Sequence, residues 1–240
     1  MDRKLLFAMV VSAAVGLFFW QNPALAPFKL LVVLMHESGH AAATLLVGGS
    51  VRSIVVMPNE GGLTQSLIPA TLLRRVVVSS GGYVGSTIAG CVLLFAAART
   101  KQARWPLIAL AGWTSALIVL WVRDLFTLGF ALAWTVLLLA AARFAPVLLR
   151  RGLLVFTATF SALYAIFDIK DDLLHFGPAV GSDADSLAQI TYVPAIVWGI
   201  GWGLLSLLIL ALTLRAVLGK AGDDRRASGF RLPATGQKQS

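Results

Sequence analysis

Cysteine and charge are both scarce in this chain of 240 residues. Its one cysteine, Cys91, has no second cysteine with which to form an intramolecular disulfide, so a disulfide-stabilised scaffold is excluded. Charged residues make up 13% of the chain, whereas soluble domains usually contain about 25%. An internal repeat of fixed period is also lacking, which argues against a solenoid. The chain therefore does not have the composition of an ordinary soluble domain.

Long apolar runs dominate the sequence instead. Hydrophobic residues account for 58% of the chain, and the mean hydropathy is +0.83. A bilayer crossing requires roughly 20 mostly apolar residues. We therefore expect an all-α polytopic membrane protein with about six to seven transmembrane helices. The candidate runs are 5–20, 28–47, 72–98, 105–121, 125–142, 152–167 and 191–214.

The net charge of +9 comes from basic residues that are scattered between the apolar runs. Basic residues that flank membrane spans mark the cytoplasmic side, so we interpret them as topology signals and expect no nucleic-acid partner. Basic clusters at 99–104, 143–151 and 215–238 fall on this side if seven helices cross and the N-terminus is external. The acidic segment 171–185 then lies at the outer boundary.

The two ends of the chain differ in composition. Residues 2–4, the apolar run after them and the small residues at 24–26 together resemble a secretory signal with its cleavage site. We favour an uncleaved first helix, because cleavage would place the three basic clusters on the external face. We expect a single transmembrane domain over 1–218 and a disordered polar tail over 219–240.

A short β-hairpin is predicted directly after the second apolar run. Residues 51–57 are rich in β-branched side chains, 58–62 have the composition of a turn, and 63–66 form the second strand. An exposed strand edge can bind an extended peptide by adding a strand. We therefore consider the 51–57 edge as a place where a substrate segment could pair.

His36, Glu37 and His40 form an HExxH pattern inside the apolar run 28–47. Residues four apart lie on one face of a helix, so both imidazoles can reach one tetrahedral Zn²⁺. The adjacent Glu37 is placed to act as general base toward a zinc-activated water. Ionisable residues within a membrane are costly and usually functional. The pattern therefore indicates hydrolytic zinc chemistry inside a membrane.

One zinc ligand is missing from this pattern, because a catalytic zinc usually has three protein ligands plus water. The run that begins near Gly152 continues without a helix breaker to Leu174, which puts Asp168 and Asp172 on one helix face. We favour Asp168 because it lies deeper in the apolar segment, with Asp172 as the alternative. Less favoured candidates are Asp171 and Asp124, then Asp183 and Asp185 in a polar loop, and His175 at a helix end.

Small residues predict a close helix contact near the motif. Gly81 and Gly85 are four residues apart in the third apolar run, and Gly39 lies within the HExxH pattern itself. Small residues at this spacing allow two helix backbones to approach closely in a membrane. We expect the third helix to pack tightly against the helix that carries the histidines.

The segment His36-Glu37-Ser38-Gly39-His40 resembles the HExGH signature of the site-2 protease family of intramembrane zinc metallopeptidases. Further segments resemble, in the same order, a short branch of that family that lacks a PDZ domain. Taken together, the resemblance covers most of residues 30–203. The segments are 48–64, 80–85, 162–173 and 182–184.

The resemblance implies a zinc endopeptidase with a water-activating Glu, a third carboxylate ligand and substrates that are themselves membrane helices. It also implies a multi-pass protein of a bacterial plasma membrane, with the lipid bilayer and a membrane-protein or membrane-peptide substrate as partners. The NPDG or LDG sequence that surrounds the ligand Asp in better-known members is absent here, so the third ligand stays open. Two other functions are considered: a metal-ion-binding transporter, and a catalytically silent relative that binds membrane helices.

Overall fold

The computed structural model describes residues 3–174 and 182–229, with side chains described for 4–167 and 182–217. The described chain is mostly helical, with one small sheet. Its helices are α1 (Arg3–Phe19), a short 3₁₀ helix (Pro23–Leu25), α2 (Ala26–Leu46), α3 (Leu72–Arg99), α4 (Arg104–Leu120), α5 (Leu125–Phe144), α6 (Val147–Leu174), α7 (Asp183–Thr191) and α8 (Ala195–Gly229), and its strands are β1 (Ser50–Val56) and β2 (Gly62–Leu67).

Four of the described helices are long and apolar enough to cross a membrane. They are Leu72–Arg99, Leu125–Phe144, Val147–Phe167 and Ala195–Val217. Two further apolar helices, Lys4–Phe19 and Arg104–Leu120, are shorter. These helices support the predicted polytopic membrane class, whereas the count of six to seven spans stays a prediction.

The helix α2 lies at the centre of the molecule. Most of its side chains are buried, including an unbroken stretch from Lys29 to Glu37. It packs against α3, α6 and the hairpin, while α1 packs against α6. Because α2 is enclosed by protein on several sides, its polar side chains can find partners away from lipid.

The predicted close contact between α2 and α3 is confirmed. A Cβ atom at Gly85 would lie 2.8 Å from the Cα of Gly39, and one at Gly81 would lie 2.7 Å from the Cβ of Ala43. Both distances are too short for real carbon atoms, so only glycine allows these two helices to approach so closely.

The predicted hairpin is also confirmed, as an antiparallel pair of β1 and β2. The outer edge of β1 is already occupied, because the Ile54 amide donates to the Trp121 carbonyl at 2.9 Å and the Val56 amide donates to Thr127 Oγ1 at 2.8 Å. The expectation of a free 51–57 edge is therefore wrong. The segment that connects α4 to α5 covers it, and within the described residues the outer edge of β2 has no backbone partner.

The first helix belongs to the packed body of the molecule. Leu5 and Met9 are buried in the apolar core, and Trp20 stacks on Phe160 of α6 with ring centroids 5.4 Å apart. At the other end, α8 extends to Gly229, and 230–240 lie outside the described residues. The boundary between a 1–218 domain and a 219–240 tail therefore stays a prediction.

Candidate metal centre

The two histidines of the motif face each other within α2. His36 and His40 lie one turn apart, and their Nε2 atoms are 3.0 Å apart. Only 8% and 7% of their surfaces are exposed. As the spacing predicts, the helix presents both imidazole nitrogens to one point.

Asp183 completes the cluster from the start of α7. Its Oδ2 atom lies 3.1 Å from His36 Nε2 and 3.0 Å from His40 Nε2. The three atoms therefore form a nearly equilateral triangle. Two ligands of a tetrahedral Zn²⁺ with bonds of about 2.0 Å lie roughly 3.3 Å apart. The triangle is close to this size, so the donor set fits a small tetrahedral cation.

The start of α7 places this carboxylate. Ser182 caps the helix, because its hydroxyl accepts a hydrogen bond from the Asp185 amide at 3.1 Å and donates one to Asp185 Oδ2 at 2.8 Å. Asp183 is thus held in the first helical turn. A Ser followed by an acidic residue three positions later is a readable signal for a helix start. That signal could have separated Asp183 from an ordinary polar loop.

The other candidate ligands differ in what the structure says of them. The side chains of Asp168 and Asp172 lie outside the described residues, as does His175, so the preference for Asp168 stays a prediction. Asp124 has a different role: its Oδ1 accepts a hydrogen bond from the Thr127 amide at 2.9 Å and caps α5. Among the described residues, His36, His40 and Asp183 form the group that could hold a metal ion.

Neighbouring elements orient both imidazoles. His40 Nδ1 lies 2.7 Å from the Val78 carbonyl of α3, which suits an N–H donor and leaves Nε2 free to bind a metal. His36 is flanked by the rings of Tyr83 and Tyr164, with centroids 4.7 and 5.9 Å away. Its buried Nδ1 has no hydrogen-bond partner in the described part of the chain.

Gly82 leaves the space that the cluster needs. A Cβ atom at this position would overlap His36 Nε2 and would lie 2.5 Å from His40 Nε2. Any larger residue would push the two metal-facing nitrogens apart. The glycine therefore forms one wall of the centre.

Asp183 is suited to bind a cation in its ionised form. Burial opposes its ionisation, but hydrogen bonds from His36 and His40 outweigh that cost and hold the pKa of the carboxyl group well below its usual range. The carboxylate is therefore negatively charged at neutral pH.

Glu37 is buried beside the cluster, with 5% of its surface exposed. The Thr64 hydroxyl of β2 lies 2.7 Å from Glu37 Oε2 and 2.9 Å from its backbone carbonyl oxygen. Glu37 does not belong to the triangle of donor atoms, so its carboxylate is available for another role.

The fold and the centre together define a helical integral membrane protein in which two buried imidazoles and a partly buried carboxylate form a group able to hold a metal ion. A family model described as Peptidase M50B-like matches residues 8–213. The chain therefore belongs to this family, which is the site-2 protease family. No curated protein and no solved structure matches the chain significantly.

Proposed function

We propose that this protein is an intramembrane zinc metalloprotease that hydrolyses peptide bonds of membrane-embedded substrates. One observation carries the proposal: a buried Glu37 follows His36 in α2, next in the chain to a member of the His36, His40 and Asp183 cluster. A site that only stored a metal would not need this additional carboxylate. Membership of a peptidase family supports the same activity.

Zn²⁺ is the proposed cofactor, held by His36 Nε2, His40 Nε2 and Asp183 Oδ2. Two imidazoles and one carboxylate are a typical ligand set for catalytic zinc, which leaves one position open. When bound, zinc supplies Lewis acidity, which acidifies water and polarises a carbonyl group. In this proposal Asp183 is the third ligand, in place of Asp168, which the sequence favours, because its carboxylate oxygen lies near both imidazoles.

Glu37 is the proposed general base. Its carboxylate accepts a proton from the attacking water and later delivers a proton to the leaving amine. Its position next to His36 on α2 suits this role, because the sequence places it beside a ligand of the proposed metal.

The proposed substrates are membrane proteins or membrane peptides. An intact helix hides its peptide bonds in its own hydrogen bonds, so a substrate segment must unwind before hydrolysis. The strand β2 contacts Glu37 through the Thr64 hydroxyl, and its outer edge could pair with such a segment. The proposal also places the protein in a bacterial plasma membrane, with the lipid bilayer as its surroundings.

The decisive variant is Glu37→Gln in purified, zinc-loaded protein. We expect hydrolysis of a membrane-peptide substrate to fall by about 100-fold or more, because the base is lost, while zinc content stays at the wild-type level. Asp124→Asn is the matched control, since Asn caps a helix as well as Asp does. This control should keep full activity.

Other outcomes favour other functions. Unchanged hydrolysis in Glu37→Gln would refute the role of the base. Zinc flux across vesicles that survives this substitution, without any hydrolysis by the wild type, would favour the transporter. A wild-type protein that binds zinc and membrane helices but moves no metal and cleaves nothing would favour the catalytically silent relative.

A further inference from the structure

The carboxylate of Glu37 packs against one face of β2. The strand alternates, so that Gly62, Thr64 and Ser66 face α2 while Leu63 and Leu67 are exposed. A Cβ atom at Gly62 would lie 2.8 Å from both Cγ and Cδ of Glu37. The missing side chain at Gly62 therefore makes room for the carboxylate, and Thr64 follows two residues later on the same face.

The Thr64 hydroxyl contacts Glu37 at two points. It lies 2.7 Å from Oε2 and 2.9 Å from the backbone carbonyl oxygen of the same residue. A hydroxyl has one proton to donate, and hydrogen bonds to a charged carboxylate are the shorter and stronger ones. The bond to Oε2 fixes the rotation of a side chain that would otherwise have several free torsions.

The position of this hydroxyl is itself fixed, because contacts on both sides of Thr64 hold the hairpin to α2. Near the turn, Lys29 Nζ lies 2.6 Å from Glu60 Oε2. At the other end of β2, Thr44 Oγ1 lies 2.7 Å from Ser66 Oγ. Thr64 lies between these two attachments, so it presents its donor from a rigid support.

We infer that Thr64 is a positioning residue for Glu37, whose hydroxyl holds the carboxylate of the general base in its working orientation. The inference rests on the proposed function, because it presumes that Glu37 acts as the base. It extends that function by giving the hairpin a second role in catalysis. The hairpin supplies the Thr64 hydroxyl to Glu37, in addition to the outer edge of β2 proposed for substrate pairing.

Kinetics of two variants provide the first test. Thr64→Val keeps the shape of the side chain but removes the donor, and we expect kcat to fall by about 10- to 100-fold, the usual effect of losing a hydrogen bond that orients a group of a metal site. KM and zinc content should stay at wild-type values. Thr64→Ser keeps the hydroxyl and should recover most of kcat. If Thr64→Val does not fold, Thr64→Ala replaces it.

Infrared spectroscopy of metal-free protein provides a second readout that does not depend on activity. The chain contains two glutamates, Glu37 and Glu60, so ¹³C labelling of Glu carboxylates gives two bands. The Glu37 band is identified by its loss in Glu37→Gln. We expect it to shift in Thr64→Val and to stay in place in Thr64→Ser.

The two ideas fail in different ways. A wild-type protein that binds zinc but cleaves nothing would overturn the proposed function, and the infrared shift alone would then support the contact. An active wild type with unchanged kcat in Thr64→Val would overturn the inference and leave the protease intact. An unshifted Glu37 band in Thr64→Val would also overturn it.

Discussion

At the scale of single residues, three polar side chains meet in the interior of a membrane protein, although each would be costly there alone. This cost is reduced because the polar atoms of the three side chains lie within hydrogen-bond distance of one another. The residues are His36, His40 and Asp183. Gly82 contributes by having no side chain, since a Cβ atom there would overlap the nitrogens. A cation at the triangle would satisfy all three donor atoms at once.

Substitution of the third ligand tests this arrangement. We expect Asp183→Asn to weaken zinc binding by more than the roughly 10- to 100-fold that loss of a hydrogen bond to a metal ligand costs, because an amide is a poorer zinc ligand than a carboxylate. Asp168→Asn and Asp172→Asn should bind zinc normally. Zinc stoichiometry and affinity of the purified variants measure this. Loss of zinc in Asp168→Asn, with normal binding in Asp183→Asn, would restore the ligand expected from the sequence.

Local sequence patterns predict the part of the centre that lies on α2, and they rank Asp183 low for a physical reason. The spacing of His36, Glu37 and His40 is short-range information, since one helix turn determines which side chains meet. Asp183 lies 147 residues from His36, so only the packing of α7 against the bundle brings them together. Depth in an apolar run favours Asp168, but depth along a single helix does not report long-range contacts.

At the scale of elements, the attachment of the hairpin to α2 depends on an asymmetric ion pair. Lys29 and Glu60 are 2.6 Å apart, yet the lysine side chain is 5% exposed and the glutamate 37% exposed. Lys29 also lies over the ring of Trp20, with Nζ 4.6 Å from the centroid. Nearly all the desolvation cost therefore falls on the lysine.

This asymmetry predicts unequal effects for the two single substitutions. Glu60→Gln leaves a buried cation without its partner and should cost about 3 kcal/mol. Lys29→Met leaves a partly exposed carboxylate that can turn toward water, so we expect a cost of about 1 kcal/mol or less. The double variant should be close to Lys29→Met. Thermal unfolding midpoints in detergent give the order of stability of the variants, since 1 kcal/mol shifts the midpoint by about 2 to 4 °C for a protein of this size.

A larger loss of stability in Lys29→Met than in Glu60→Gln would contradict this account. If Lys29→Met were the more damaging change, the lysine would be held mainly by Trp20 and the apolar packing of its stem. If both single variants were neutral, the pair would not hold the hairpin at all. Activity measurements on the same variants would then distinguish an effect on the position of the hairpin from an effect on the stability of the fold.

At the scale of the whole molecule, the fold leaves one edge open, among the described residues, on the strand that contacts the candidate base. The outer edge of β1 is covered by the α4–α5 connection, through the bond from the Ile54 amide to the Trp121 carbonyl. The outer edge of β2 has no backbone partner among the described residues. The presence of a hairpin could be predicted from its turn residues, but which edge stays free depends on a segment more than fifty positions away.

Pairing of a substrate with β2 makes a periodic prediction. In a strand pair, alternate amides of the added strand point toward its neighbour, so every second substrate N–H would donate to β2. We expect N-methylation of a peptide substrate, one position at a time, to raise KM at alternate positions by about fivefold, close to the loss of one hydrogen bond. An equal effect of N-methylation on KM at every position of the peptide would rule out pairing at this edge. The Lys29→Met protein extends the test, because it loses the ion pair that attaches the hairpin to α2. We expect the alternating effect of N-methylation on KM to become weaker in this variant, while zinc content stays unchanged.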